Sequence, residues 1–445
     1  MTLFFESLKG GADEVCNLVT ENASNQLSRA RAVTTDDVVN LSTVPTPSED
    51  TLTEALDVLE EAVTPADPVN EKTGYIWRRA FVDPSCPLVN TVWQGVLLEP
   101  ATTLATDIDL REGNLYHVWL VGASGASASG ACNNVQPTGG GSGGGGCTNE
   151  GWFAREQMKN DLPIQIIGGI PGIAAIPQQM AGVAPQASIR GGNGTGSRFG
   201  KLLYAGGGGG AGGAAAPATA NNFGARGGSG GSSGGDGQNG GTPNQTPGIV
   251  GGSPSALLLG STPTPGYGSV GACVDSSSTS SGLNSEDGGA SGTWTKAVTT
   301  GGIDGSSSVR GGATGGMGGF CASGAGNPPQ PSGAGGRSGA FPVVKGGGAA
   351  AVPGSTGSVN GVDGNDGAEG VICVHAGDGG SGGGAYGSSQ INVTRRGGNG
   401  GRGGFPGGSP GGGGAAIGGG GASMQTTPGA GRDGEYGIVV LTAYF

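Results

Sequence analysis

Six aromatic side chains set among glycine and serine are the residues of this chain best suited to recognition chemistry. They are Phe223, Tyr267, Trp294, Phe320, Phe341 and Tyr386. Aromatic rings on loops of small residues give a rigid contact area at a low cost in conformational entropy, and such rings often dominate the free energy of binding. We therefore treat these six as candidate contacts with a partner. The alternative is that each ring packs over the end of a neighbouring segment.

Residues that could perform catalysis are few. The two histidines, His117 and His375, give no zinc-ligand spacing with the cysteines. No G-x-S-x-G segment lies between a strand and a helix, and no glycine-rich run continues into the GK[ST] of a phosphate-binding loop. Asp363, Asp366 and Glu369 recur every three residues and are interpreted as a solvated ridge. We expect no catalytic residue, cofactor or metal, and hence no enzyme; His117 is expected to be a satisfied core or edge histidine.

The cysteines are expected to be free thiols. They are Cys16, Cys86, Cys132, Cys147, Cys273, Cys321 and Cys373. Their odd count, their irregular spacing and the lack of a signal peptide in MTLFFESL favour synthesis in a reducing compartment. Cys132 and Cys147 flank a glycine-rich stretch, so a disulfide between them stays open.

Charge divides the chain near Lys72. Residues 1–72 hold 14 acidic and 4 basic side chains, whereas the rest of the chain holds 19 and 17. A near-neutral body argues against nucleic-acid binding, which requires a basic face. Apolar residues in the acidic head recur at spacings of three and four, which predicts an α-helical segment. Its narrow apolar stripe suits a coiled-coil or docking seam as well as a helix packed on its own domain. The stripe consists of Leu52, Leu56, Leu59 and Val63.

Residues 73–204 carry most of the aromatic and β-branched side chains and are expected to form a β-rich platform. In LYHVWLV (115–121) both alternating faces are mostly apolar, which predicts a central strand. Residues 205–445 are expected to form a glycine-rich body that ends in a strand at 436–445. That strand is expected to pair with the earlier sheet, so that the glycine-rich region is closed at both ends.

The glycines keep a three-residue phase within short segments. GVDGNDGAEG (361–370) has glycine at every third position, GGNGGRGG (397–404) at two of every three, and GGGGG (206–210) at all three. A flexible linker needs no phase, and collagen needs an unbroken Gly-X-Y repeat with abundant proline. Three residues per turn is the geometry of an extended left-handed helix without internal hydrogen bonds. Where glycine replaces side chains, such helices can pack closely and hydrogen-bond to one another.

The predicted fold class is therefore mainly non-regular and β: a polyglycine II helix bundle framed by a β-sheet region, with an N-terminal α-helical segment. Ordering the backbone costs ~1–2 kcal/mol per residue, and each new hydrogen bond returns about 1 kcal/mol. Because these amounts nearly cancel, the bundle needs a frame that holds the helix ends. The β-rich platform and the returning strand supply it.

The order of the strand LYHVWLVGASGAS, long glycine-rich blocks and a closing GEYGIVVLTAYF resembles the glycine-rich domains of bacteriophage tail-fibre proteins. It is similar to the tip adhesin of the long tail fibre of T-even-like phages, in which glycine-rich motifs form a polyglycine II sandwich and the intervening loops touch the host receptor. The resemblance covers residues 114–445, and the acidic head departs from it. It implies a virion surface protein of the tail, synthesised in the host cytoplasm, that binds a host cell-surface receptor, either a protein or a polysaccharide.

Other functions stay open. The chain could be a purely architectural phage structural or decoration protein, or an ice-binding polyglycine bundle. As an adhesin, it would contact other virion tail proteins through residues 1–72, and a homo-oligomer such as a trimer stays open. The loop expected to carry recognition is Thr242–Asp287, with Tyr267 as an anchor and Trp294 or Phe223 beside it.

Overall fold

The computed structural model describes several parts of the chain. They are residues 74–110, 113–133, 137–174, 176–177, 189–213, 227–237, 239–240, 285, 288–290, 302–321, 331–339, 360–387, 395–417 and 426–445, together with short strands at 19–21, 27–29, 258–259 and 262–263. The chain divides into two compact units, one of Met1–Ile76 with Phe445 and one of Trp77–Tyr444.

The described residues are almost entirely strand and extended backbone, which confirms the prediction of a mainly non-regular and β fold. The strands are β1 Val19–Glu21, β2 Leu27–Arg29, β3 Trp77–Val82, β4 Val92–Trp93, β5 Val96–Pro100, β6 Thr103–Leu104, β7 Leu115–Val121, β8 Cys132–Asn133, β9 Thr148–Ala154, β10 Ile164–Ile167, β11 Ser197–Phe199, β12 Leu203–Ala205, β13 Leu258–Leu259, β14 Thr262–Pro263, β15 Tyr386–Gly387, β16 Arg395–Arg396, β17 Ala416–Ile417, β18 Thr426–Thr427 and β19 Ile438–Tyr444. The helices are α1, Arg155–Asn160, and a 3-10 helix, Asp107–Leu110.

The predicted N-terminal α-helical segment is not confirmed. Within residues 1–72 the structure describes one antiparallel strand pair, β1 with β2, in which Thr20 lies opposite Ser28. The remainder of that range lies outside the described residues.

The largest sheet of the second unit has six strands in the order β4-β5-β3-β19-β7-β9. The C-terminal strand β19 lies between β3 and β7 and is antiparallel to both. This confirms that the last strand returns to the earlier sheet. The long apolar strand β7 lies between β19 and β9, so it is central, as its apolar faces predict.

One face of this sheet packs against the glycine-rich body. Trp119 of β7 and Val440 of β19 share a buried core with Ile372 and Phe405 from the body. The rings of Trp93 and Phe405 meet edge to face, with centroids 4.9 Å apart. We call this region, where the glycine-rich segments meet the six-stranded sheet, the sheet end.

The opposite face of the sheet is covered by a second antiparallel sheet of order β12-β11-β10-β6. Phe153 of β9 stacks on Phe199 of β11, with ring centroids 6.3 Å apart. Tyr116 and Leu120, which face this layer from β7, are fully buried. Both faces of β7 are therefore covered, which is why a polar alternation is absent from its sequence.

Residues 122–131, directly after β7, make backbone hydrogen bonds with a period of three. Every third N–H donates to the same neighbouring segment, at N–O distances of 2.8 to 3.1 Å. Gly122, Gly125, Ala128 and Ala131 donate to carbonyls of residues 138–147; Ala123, Ala126 and Ser129 donate to 189–195; Ser124, Ser127 and Gly130 donate to 429–435. The N–H groups of this segment thus donate in turn to three antiparallel neighbours.

Asp and Asn side chains supply further acceptors between these segments. Residues 361, 364 and 367 donate their N–H groups to the carbonyls of 396, 399 and 402. In return, the N–H groups of 396, 399 and 402 donate to the Oδ1 atoms of Asn360, Asp363 and Asp366, at 3.0, 2.8 and 2.7 Å. Each of these three side chains therefore takes the place of a backbone carbonyl.

Asp363 is partly exposed and Asp366 and Glu369 are exposed, as expected of a solvated ridge, but all three carboxylates also accept hydrogen bonds. The first two accept backbone N–H groups, and the Glu369 carboxylate accepts the Trp93 indole N–H at 2.9 Å. Sequence alone could not reveal these hydrogen bonds. The segment that donates to Asp363 and Asp366 lies more than 30 residues away in the sequence, and the donor to Glu369 lies on another strand.

We expect Asp363→Ala to lower the free energy of unfolding by about 1 kcal/mol, because the Asn399 N–H loses its acceptor. Asp363→Asn keeps an Oδ1 acceptor and is expected to unfold close to the parent chain. It loses the hydrogen bond from Asn399 Nδ2 to Oδ2 at 3.3 Å and a half-exposed ion pair with Arg396 at 3.5 Å, and such exposed pairs contribute little. Urea unfolding of both variants measures the difference, and equal stability of the two would contradict the acceptor role.

Candidate functional site

The two ends of the glycine-rich body differ in how its segments are joined. At the sheet end, short turns that the structure describes join consecutive segments. These turns lie at 232–235, 309–311, 371–375 and 405–407. The turn after Gly370 is fixed by Gln94, whose Nε2 donates to the Gly370 carbonyl at 2.5 Å and whose Oε1 accepts the Ile372 N–H at 3.0 Å. The sheet thus holds this end closed.

At the other end, which we call the distal end, several segments finish side by side. Strand β17 pairs in parallel with both β15 and β8, placing Ala416 between Tyr386 and Cys132. Cys321 lies against them, because its Sγ donates to the Tyr386 carbonyl at 3.1 Å and its N–H donates to Pro137 at 3.2 Å. The chain continues beyond the described segments into residues outside the described ranges. They are 134–136, 178–188, 214–226, 322–330, 388–394 and 418–425.

Simple alternation along the chain predicts that connections divide evenly between the two ends. The four described turns lie at the sheet end. Ser285 and Gly339, which border residues outside the described ranges, lie there too: the Val309 N–H donates to the Ser285 carbonyl, and the Gly339 N–H donates to the Val309 carbonyl.

The six predicted contact residues fall into two groups. Tyr267, Trp294, Phe223 and Phe341 lie outside the described residues. Phe320 and Tyr386 are described, and each is 2% exposed. These two rings therefore pack inside the distal end, as the alternative interpretation holds, and they present no surface to a partner.

Cys132 and Cys147 are not joined by a disulfide; both are buried free thiols. They lie at opposite ends of the same pair of segments, because Ala131 bonds to Thr138 and Gly122 bonds to Cys147. Burial raises the pKa of Cys132 to about 12, so its thiolate is scarce at neutral pH and its reactivity is low.

His117 is a satisfied core histidine, as predicted. It is 7% exposed, and its Nε2 lies 3.1 Å from Oε2 of Glu150. Burial lowers the pKa of His117 despite the opposing effect of Glu150, so the ring is neutral near pH 7. No group of three or more metal-ligating side chains occurs among the residues that the structure describes.

Sequence reasoning missed Trp152, which is 54% exposed on β9. In TNEGWFA (148–154) Thr148 and Phe153 are both buried, so burial along β9 does not follow a simple alternation that the sequence could have shown. That pattern alone would not have indicated which side chains lie beside the indole.

Comparison with models of known protein families found no match, and comparison with curated protein sequences found none either. Within the described ranges, no helix has the length and apolar character needed to cross a membrane.

Proposed function

We propose that the glycine-rich segments form a polyglycine II bundle. The supporting observation is the period of three in the hydrogen bonds of residues 122–131, each third donor serving one neighbour. A three-residue turn with outward-pointing N–H and C=O groups has this property. The close approach of neighbours also supports it: a Cβ built on Gly125 would lie 2.1 Å from the carbonyl oxygen of Gly209.

We further propose that the protein is a virion surface protein, a tail-fibre or tail-tip adhesin that binds a host cell-surface receptor. The observation that supports this proposal is that the described segments ending at 133, 321, 387 and 417 finish side by side at the distal end, away from the short turns of the sheet end. A rigid scaffold that presents variable connections at one end is a common arrangement for binding. The architectural resemblance to phage tail fibres agrees with it. In this proposal residues 1–72 attach the chain to other tail proteins.

An architectural role is the second candidate, and one observation favours it. Phe320 and Tyr386, two of the rings that the sequence offered for recognition, are buried in the distal end. If the other four rings also serve packing, the bundle is a spacer or decoration protein without a receptor.

We expect Tyr267→Ala and Trp294→Ala to reduce adsorption of the purified protein to host bacteria about thirtyfold each. Truncating an anchor ring at an interface typically costs about 2 kcal/mol or more, which corresponds to that factor. The measurement is adsorption of labelled protein to strains that differ in surface polysaccharide and porins, beside a melting curve.

Val92→Ala is the matched control, because Val92 is an apolar side chain 68% exposed on the sheet. Adsorption of both aromatic variants at the level of this control would reject these anchors. A large fall in melting temperature for the aromatic variants would favour the architectural role.

A further inference from the structure

The sheet carries an exposed tryptophan whose ring is held in a fixed position. Trp152 is 54% exposed, yet its ring lies between two others. The ring centroids of Trp152 and His117 are 4.6 Å apart, with 31° between the planes, and those of Trp152 and Tyr444 are 5.1 Å apart, with 44° between the planes. Exposing an indole forgoes hydrophobic stabilisation, so a rigid exposed ring calls for an explanation.

Polar side chains lie in register with this ring across four strands. Arg78 on β3 is opposite Thr442 on β19, Thr442 is opposite His117 on β7, and His117 is opposite Trp152 on β9. Because neighbouring strands lie ~4.8 Å apart, this row is roughly 14 Å long. Arg78 Nε donates to Thr442 Oγ1 at 3.1 Å. Thr442 and His117 are buried, so they support the two ends of the row, where partly exposed Arg78 and exposed Trp152 lie.

A second set of polar groups flanks the ring. Arg310 Nη2 lies 2.8 Å from Oε2 of Glu150, the atom that also contacts His117. The backbone of Arg310 is itself fixed, since its carbonyl accepts Thr148 Oγ1 at 2.9 Å and the Ala376 N–H at 2.8 Å. Glu150 and Arg310 are each about one-third exposed, so their outer atoms can reach a ligand that lies on Trp152.

We infer that Trp152, Tyr444 and the polar groups beside them form a saccharide-binding platform on the sheet. The face of an aromatic ring carries partial negative charge, and the C–H bonds of a pyranose face carry partial positive charge. Sugar hydroxyl groups both donate and accept, which suits a surface that offers guanidinium donors and a carboxylate acceptor side by side.

Other ligand classes fit less well. Two rings and a few polar side chains are much smaller than the ~800 Å² that each partner contributes to a stable protein interface. The body outside residues 1–72 has 19 acidic and 17 basic side chains, so it lacks the basic field that draws nucleic acids. The platform lies on the sheet and does not depend on the proposed adhesin role of the distal end.

The test is binding of the full purified chain to an array of immobilised bacterial oligosaccharides, followed by titration calorimetry with the strongest one. We expect the parent chain to bind, Trp152→Ala to bind at least tenfold more weakly, and Trp152→Phe to fall between them. Val92→Ala controls for loss of an exposed apolar side chain, and Tyr267→Ala separates this platform from the distal end; both are expected to bind like the parent.

Three results would overturn the inference. The first is that the parent chain binds no oligosaccharide on the array. The second is that Trp152→Ala binds as tightly as the parent. The third is that Trp152 is needed for binding single-stranded DNA and for no saccharide, which would assign the ring to base stacking. If Trp152→Ala fails to fold, Trp152→Phe and acrylamide quenching of the parent decide. Weaker binding by Trp152→Phe than by the parent would support the aromatic platform, whereas equal binding, with no ligand-dependent protection of the parent's tryptophan fluorescence, would reject it.

Discussion

Gly208→Val is expected to prevent soluble folding of the chain. A Cβ built on Gly208 would lie 1.9 Å from the carbonyl oxygen of Gly144 and 2.8 Å from that of Gly145. No side-chain rotation relieves this contact, because both neighbours are backbone atoms. To relieve this contact, the two segments must separate by about 1 Å or more at residue 208. A separation of that size would also lengthen the hydrogen bonds around residue 208 until they are broken.

Those hydrogen bonds link several segments at once. The Gly208 N–H donates to Ala123, its carbonyl accepts the Gly194 N–H, and the next residue, Gly209, donates to Ser229. Displacing residue 208 therefore disturbs three neighbours together. A protein whose total stability is about 5–15 kcal/mol is not expected to withstand the loss.

Soluble yield and melting temperature measure this effect. Ala368→Val is the matched control, because Ala368 is an exposed residue in another segment with glycine at every third position. We expect the control to keep the yield and melting temperature of the parent. Equal behaviour of Gly208→Val and Ala368→Val would refute the close packing on which the fold rests.

Raising the pH from 4.5 to 8.5 is expected to destabilise the protein through Glu435. Burial raises the pKa of Glu435 to about 8, with Arg402 opposing the shift and Asp366, Asp433 and Glu369 adding to it. The folded state therefore keeps a proton on this carboxyl that the unfolded state releases near pH 4.5. Between those two values stability falls by up to about 1.4 kcal/mol for each pH unit.

Its position explains the burial. The Glu435 N–H donates to Ser124 Oγ at 2.8 Å, and its carbonyl accepts the Ser124 N–H at 2.9 Å. The backbone of Glu435 is thus fixed against residues 122–131 just before β19 begins, and the residue as a whole is only partly exposed.

The measurement is the free energy of unfolding in urea at pH 5 and pH 8.5. Glu435→Gln is expected to remove most of the decrease and to exceed the parent in stability at pH 8.5. Glu156→Gln, which changes an exposed glutamate on α1, is the control and should follow the parent curve. A parent whose stability is the same at both pH values would show that Glu435 does not hold its proton.

The sequence was sufficient for those parts of the fold that depend on local pattern. The apolar faces of residues 115–121 predict a central strand, and the strong last strand predicts its own return to the sheet. The three-residue phase of the glycines also agrees with the period of the hydrogen bonds in residues 122–131. Periodicity in the sequence predicts these features because each depends only on the direction in which successive side chains and N–H groups point.

Tertiary structure alone decided which segments are neighbours and what lies at each end. A backbone with three residues per turn offers three equivalent rows of N–H and C=O groups, so nothing in a glycine run specifies its partners. For this reason the acceptor roles of Asp363 and Asp366, the burial of Phe320 and Tyr386 and the exposed ring of Trp152 beside Tyr444 could not be read from spacing. Each depends on a segment that is distant in sequence and is brought close by folding.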